Sequence, residues 1–294
     1  MAEVSSPLTR PAQSSVQLPD ALSKYRDALE ETMRRLVPPQ SLGLYQMVRY
    51  HLGWADPQGN LLVGQSAGKA LRPTLCLLAC DALGSPWRQA LPVAAAVELV
   101  HNFSLIHDDI QDGDTHRRHR PTVWYRGGHS QGINAGDALA ILAHQAIFTP
   151  NSDALPPVTA LAVSRILTRA CAEMIEGQVL DLSYEQRATV PVNDYLLMIG
   201  KKTGALLESS LHMGAVIGTE DRPIIEAMRA FGTDLGFMFQ VRDDLLGIWG
   251  VQERTGKPTG SDIHRRKKSL PIVHALESAE GGARERLVSI YRSD

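Results

Sequence analysis

The chain has 294 residues, 44% of them hydrophobic, enough for two ordinary domains or one large core, and one is favoured. With 32 acidic and 30 basic residues it carries no global polycation of the kind that binds nucleic acid. Cys76, Cys80 and Cys171 lack zinc-ligand spacing and read as reduced core residues of a cytoplasmic protein, and no apolar run is seen to approach the ~18 residues that span a bilayer.

Residues 1–17 have no apolar signal core and are expected to be a disordered tail, with 18–294 forming a single helical domain. Apolar residues at helical period then run from Leu22 to Leu36, Leu42 to Leu52, Ala70 to Leu83, Leu91 to Asp112 and Ile133 to Phe148. The same period continues from Val158 to Gln186, Tyr195 to Ile217, Ile224 to Ile248 and Leu270 to Ser278. Pro and Gly punctuate the segments between, and no stretch alternates convincingly as a strand. The prediction is all-α, a large bundle of antiparallel helices, several of them apolar on more than one face and therefore buried inside it.

Two of these helices end in acid. In His107-Asp108-Asp109-Ile110-Gln111-Asp112, Asp108 and Asp112 stand at i and i+4 and share a face. Negative charge there opposes the helix dipole, a local rule broken in a way that points to function. Carboxylate oxygens suit magnesium, whereas zinc favours His or Cys. The second cluster is Gln240-Val241-Arg242-Asp243-Asp244. Cations lie close by in sequence: Arg117 and Arg118 just past the first cluster, Lys69 and Arg72 at a helix entry, then Lys202-Thr203, Lys257 and Lys267. Carboxylate beside guanidinium implies a phosphorylated ligand, with magnesium bridging the acids to phosphate and Arg gripping other oxygens.

From Gly68 to Pro271 the order and spacing of these groups resemble the trans-isoprenyl diphosphate synthases, with Gly136-Asp137 also in place. The resemblance implies an isoprenoid synthase fold with a central apolar cavity, usually as a homodimer, that condenses isopentenyl diphosphate with an allylic diphosphate. Asp108, Asp112 and Asp243 would hold three magnesium ions, supported by Asp109 and Asp244. Arg117, Lys202 and Lys257 would add positive charge on the allylic diphosphate, with Lys267 in the same segment. Lys69, Arg72, His101 and Arg118 would bind isopentenyl diphosphate, and Thr203 and Gln240 would line the reacting tail. Phe103 and Ser104, just below the first cluster, would set product length, and one aromatic beside one small residue resembles members that make geranylgeranyl diphosphate.

Three positions depart from the family pattern: Gly247 replaces the final acid of the second cluster, Ala70 a common Arg, and His119 a common Gly. Family members generally continue past Asp294 with further helices, so either the chain is a short member or it is truncated. A modifying subunit without activity of its own has little need for both acidic clusters. A terpene cyclase on the same scaffold has no need for Lys69, Arg72 and His101, and an HD-type phosphohydrolase needs more His ligands.

Overall fold

The computed structural model describes residues 23–39, 41–62, 68, 70–148, 155–251, 260–264 and 266–292. The expected 1–17 tail lies outside them, as do Lys69 and Lys257. Helices dominate: α1 Arg26–Leu36, α2 Gly43–His51, α3 Leu71–Ala82, α4 Leu91–Gln111, α5 Val123–Gly127, α6 His129–Ile147, α7 Pro157–Glu185 and α8 Val192–Ile199. Beyond a π-helical turn at Gly200–Gly204 come α9 Ala205–Gly218, α10 Arg222–Trp249, α11 Ser261–His264, α12 Leu270–Ser278 and α13 Gly281–Arg292.

The helix with the first acidic cluster is the centre of the core. Every residue of α4 from Leu91 to Val100 is buried, which explains why its apolar positions follow no single stripe. It packs against α6, α3 and α1, while α9 packs against α10, α3 and α7. Leu77, Leu99, Leu139, Leu167 and Met213 are fully enclosed where these helices meet. Trp87–Gln111 does meet the length and composition of a membrane span, contrary to the sequence reading, but 78% of its apolar window is buried within the protein, as in a core helix.

Two features escaped the helical period. A two-stranded hairpin, His116–Arg117 (β1) against Arg120–Pro121 (β2), crosses the top of α4. Its two turn residues, Arg118 and His119, both have positive φ, at 52° and 61°, as a type I′ turn requires. Glycine suits such a position, which accounts for the family's common Gly where His119 stands. The stretch Tyr195 to Ile217 is likewise not one α-helix, because the π turn divides it.

Candidate active site

The C-terminal turn of α4 presents its acids in two directions. Asp108 is half-buried and Asp112 exposed, and neither carboxylate has a hydrogen bond or ion pair among the described residues. Burial pushes both carboxyls above the ordinary range and nearby Lys202 pulls both down, while Asp112 adds to the rise at Asp108 and Asp114 and Asp181 add to it at Asp112. Asp109 turns the other way. It is 1% exposed and accepts from Arg117 Nε at 2.7 Å, and burial pushes its carboxyl up to about 6 against the pull of Arg117.

Lys202 reaches this face from the π turn, donating to Asp181 Oδ2 at 2.5 Å. Burial disfavours its charge, but Asp181, Asp108 and Asp112 outweigh that and hold the ammonium above the usual lysine range. Asp181, on α7, was missed from sequence. So was Gln178 one turn earlier, whose Nε2 donates to Gln111 Oε1 at 2.7 Å, next to Asp112. The available signal was the spacing Gln178, Asp181, Glu185, which places three polar groups on one helix face.

Adjacent Thr203 faces the second cluster. Its Oγ1 donates to Gln240 Oε1 at 2.7 Å, Gln240 Nε2 donates to Asp244 Oδ1 at 2.9 Å, and Asp244 Oδ2 accepts from the Leu270 amide at 2.9 Å and from Tyr195 Oη. Asp244 is fully buried with both oxygens engaged, whereas Asp243 is exposed on α10. The π turn thus lies between the two acidic clusters, with Lys202 on one and Thr203 on the other. A π bulge suits this task because it rotates two neighbouring side chains apart within a helix. Lys267 is exposed on the segment that returns to α10, and neighbouring Lys268 donates to the Glu185 carbonyl at 2.9 Å.

A second, cationic group lies on the other side of α4. Arg72 Nη1 meets His101 Nε2 at 3.4 Å, and its Nε is buried without a partner among the described residues. Burial, then Arg72 and Arg118, holds His101 well below its usual range, so the ring is neutral. The Arg118 guanidinium lies against Gly68, where a Cβ would come within 2.8 Å of it. Arg117, Arg118, His51 and Arg120 line a cavity of about 210 Å³. Besides Asp109, a second buried carboxylate, Glu98, serves this group: burial pushes it up to about 7, and Arg72 and Arg118 pull it down. Sequence reading missed Glu98 and His51. Ala70, the family's missing Arg, has φ 46° and caps α3.

Below the first cluster, Phe103 packs edge-on to His107 with ring centroids 5.2 Å apart, and Ser104 Oγ donates to the His101 carbonyl at 2.8 Å. Ser104 shares the Asp108 face, and Phe103 leans toward α6 with His107, which meets Asp137 at 3.7 Å.

The donor set fits magnesium: among the described residues Asp108, Asp112 and Asp243 are carboxylates without hydrogen-bond or ion-pair partners, and burial leaves the first pair in want of positive charge. Among the described residues no three acidic, His or Cys groups converge into a closed cage. That suits a cation which keeps waters and takes other oxygens from phosphate.

Comparison with known proteins agrees with this geometry. Residues 61–294 match the family model described as polyprenyl synthetase. The chain is 41% identical over 268 residues to a (2E,6E)-farnesyl diphosphate synthase of Mycobacterium tuberculosis, covering 91% of this chain and 72% of that protein. It is also 41% identical over 272 residues to a geranylgeranyl diphosphate synthase of the same organism, covering 92% and 76%. A crystal structure of a polyprenyl synthetase from Streptomyces coelicolor superimposes with a TM-score of 0.85 at 44% identity, covering 93% and 79%. A geranylgeranyl pyrophosphate synthetase from Pyrococcus horikoshii gives 0.83 at 34% identity, covering 93% and 80%. With the isoprenoid synthase fold, the paired acidic clusters and matches over most of its length, the chain belongs to the polyprenyl synthetase family.

Proposed function

We propose that this prenyltransferase makes geranylgeranyl diphosphate from isopentenyl diphosphate and an allylic diphosphate, using three magnesium ions as a cytoplasmic homodimer. The observation that carries the reading is the pair of separate anion sites on either side of α4. The acids with Lys202 suit a metal-bound diphosphate, and Arg72, His101 and Arg118 suit one held by guanidinium alone. Bound magnesium would neutralise the leaving diphosphate.

The protein's own groups do the rest. Lys202 and Arg117 hold positive charge on the allylic diphosphate, and Asp181 keeps Lys202 aimed between Asp108 and Asp112. Thr203 and Gln240 turn oxygen dipoles toward the tail as positive charge develops on it, with Asp244 fixing the Gln240 amide. Arg72, Arg118 and Lys69 orient isopentenyl diphosphate so that its double bond attacks the allylic carbon as the C–O bond to diphosphate breaks. The proton then lost goes to the departed pyrophosphate, so the site requires no protein base. Lys257 and Lys267 are assigned further positive charge for the allylic diphosphate.

A relative named for a farnesyl product and one named for a geranylgeranyl product are each 41% identical, so the assignment of product length rests on Phe103 and Ser104. One aromatic there leaves a deeper channel than two. Purified chain incubated with magnesium, isopentenyl diphosphate and dimethylallyl, geranyl or farnesyl diphosphate is expected to yield a C20 alcohol after dephosphorylation. A C15 end product would refute the length assignment. Absence of any elongation would favour a modifying subunit, and cyclised hydrocarbon a terpene cyclase.

A further inference from the structure

In the β1–β2 hairpin, Arg117 and Arg120 are direct cross-strand partners, with Arg118 in the turn between them. Like charges placed opposite each other weaken a strand pair, so three guanidinium groups within four residues break a local rule. Arg117 has Asp109, and Arg118 lies against Gly68. Arg120 is engaged elsewhere. Its Nη2 donates to the Ala55 carbonyl at 2.7 Å, and its guanidinium lies over the Tyr50 ring, 4.2 Å from the centroid. Arg126, on α5, repeats the arrangement: Nη2 donates to the Pro57 carbonyl at 2.6 Å, and the guanidinium lies 4.4 Å from the centroid of the same ring. Neither cation has an acidic partner among the described residues. Tyr50 is buried and donates from Oη to the Pro121 carbonyl of β2 at 2.8 Å.

The two accepting carbonyls belong to a braced loop between α2 and α3. Asp56 Oδ1 accepts from the amides of Gln58 and Asn60 at 2.8 and 2.9 Å, the Leu62 amide donates to the Trp54 carbonyl at 2.8 Å, and Trp54 is buried. From this loop the chain leads on to Gly68 and Arg72, one half of the guanidinium-lined site, while the hairpin carries Arg118, the other half. We propose that Arg120 and Arg126, closed on Tyr50, are positioning residues for isopentenyl diphosphate: they clasp the hairpin to the Trp54–Leu62 loop and so fix Arg118 relative to Gly68 and Arg72. A charge-assisted bond to a carbonyl and a guanidinium over a ring are both directional, so the pair sets an orientation as well as a distance. The allylic side is spared, because Arg117 is held separately by Asp109.

The inference rests on the synthase reading of the site, and steady-state kinetics with isopentenyl and geranyl diphosphates, each varied at saturating levels of the other, separate the two. Arg126 is the residue to change, since it is exposed and lies outside the proposed site. Arg126→Gln should raise the KM for isopentenyl diphosphate about tenfold, within the loss of on the order of a hundredfold that a small misplacement can cause. The kcat, the KM for geranyl diphosphate and the thermal midpoint should stay near those of the wild type. Arg126→Lys, which keeps the charge over Tyr50, should recover most of the loss. In an Arg118→Ala background Arg126→Gln should raise the KM no further, because the guanidinium that the clasp aims is gone. An unchanged KM in Arg126→Gln overturns the inference. So does an equal effect with and without Arg118, and so does a shift of kcat and both KM values together, which would mark general support of the fold. If the wild type elongates nothing, the synthase reading falls, and the inference with it.

Discussion

Glu98 is a carboxylate in a place that disfavours one: it is 6% exposed and pushed up to about 7, chiefly by burial. Asn102 Nδ2 donates to its Oε1 at 3.1 Å, and the Arg72 and Arg118 charges offset part of the desolvation. An acid whose folded pKa lies above its unfolded value of 4.5 leaves the native state binding more protons between the two, so its stability contribution is present at low pH and lost as pH rises toward 7. The unliganded protein should lose up to about 3 kcal/mol from this group between pH 4.5 and 7. Glu98→Gln should flatten that slope, as read by urea unfolding across the pH range. An unchanged slope in the variant would show that Glu98 titrates normally. The same residue shows what a sequence can hide. Asp108 and Asp112 were legible because two acids at i, i+4 break the dipole rule at a helix end, a purely local signal. Glu98 is a lone acid in the apolar first half of α4 and Asp181 is one of several acids on α7, so the tertiary approach of Arg72 and Arg118 or of Lys202 is what singles each out.

Among the elements, the π turn at Gly200–Gly204 has the most to position, since it points Lys202 and Thr203 at different acidic clusters. It is held by close backbone packing: α7 crosses it at Gly177, where a Cβ would overlap the backbone nitrogen of Lys202. Backbone cannot swing aside as a flexible side chain can, so Gly177→Ala must push the turn away from α7. We expect a loss of about 1–3 kcal/mol, the usual cost of overpacking. Turnover should fall by more than stability alone explains, because Lys202 shifts relative to Asp181, and thermal unfolding with steady-state kinetics at a temperature where the variant is folded would separate the two effects. Wild-type turnover there would show that Lys202 keeps its aim without this contact. Helical period located the long helices to within a few residues but read the stretch around this turn as continuous, because a π bulge changes the hydrogen-bond register without changing the apolar pattern. The β1–β2 hairpin escaped for a different reason. Strands of two residues carry no alternation, and Arg118 and His119 are not residues that advertise a positive φ.

At the scale of the whole molecule, α7 has a second face, on the side away from the core. Val158, Leu161, Arg165, Thr168, Ala172, Ile175 and Val179 recur at alternating steps of three and four residues and are all exposed. That is the spacing of a seam between two helices, and four of the seven are large aliphatic residues, with Val158 82% exposed. On the neighbouring α6, Ile133 and Ile141 are exposed as well, and Phe148 follows its last turn. Large aliphatic residues exposed at this spacing mark an interface. A second copy of the chain is the occupant in the homodimer proposed above, with the two α7 seams meeting about a twofold axis. Sedimentation velocity should then give twice the 32.1 kDa of one chain. Replacing Leu161 and Ile175 together by Asp should give the single-chain mass, because four carboxylates would be brought together in a desolvated seam. Neither residue belongs to the proposed site, so Mn²⁺ and pyrophosphate binding reports whether the monomer still folds with its acidic face in order. A double variant that binds Mn²⁺ and still sediments as a dimer would place the interface on another face.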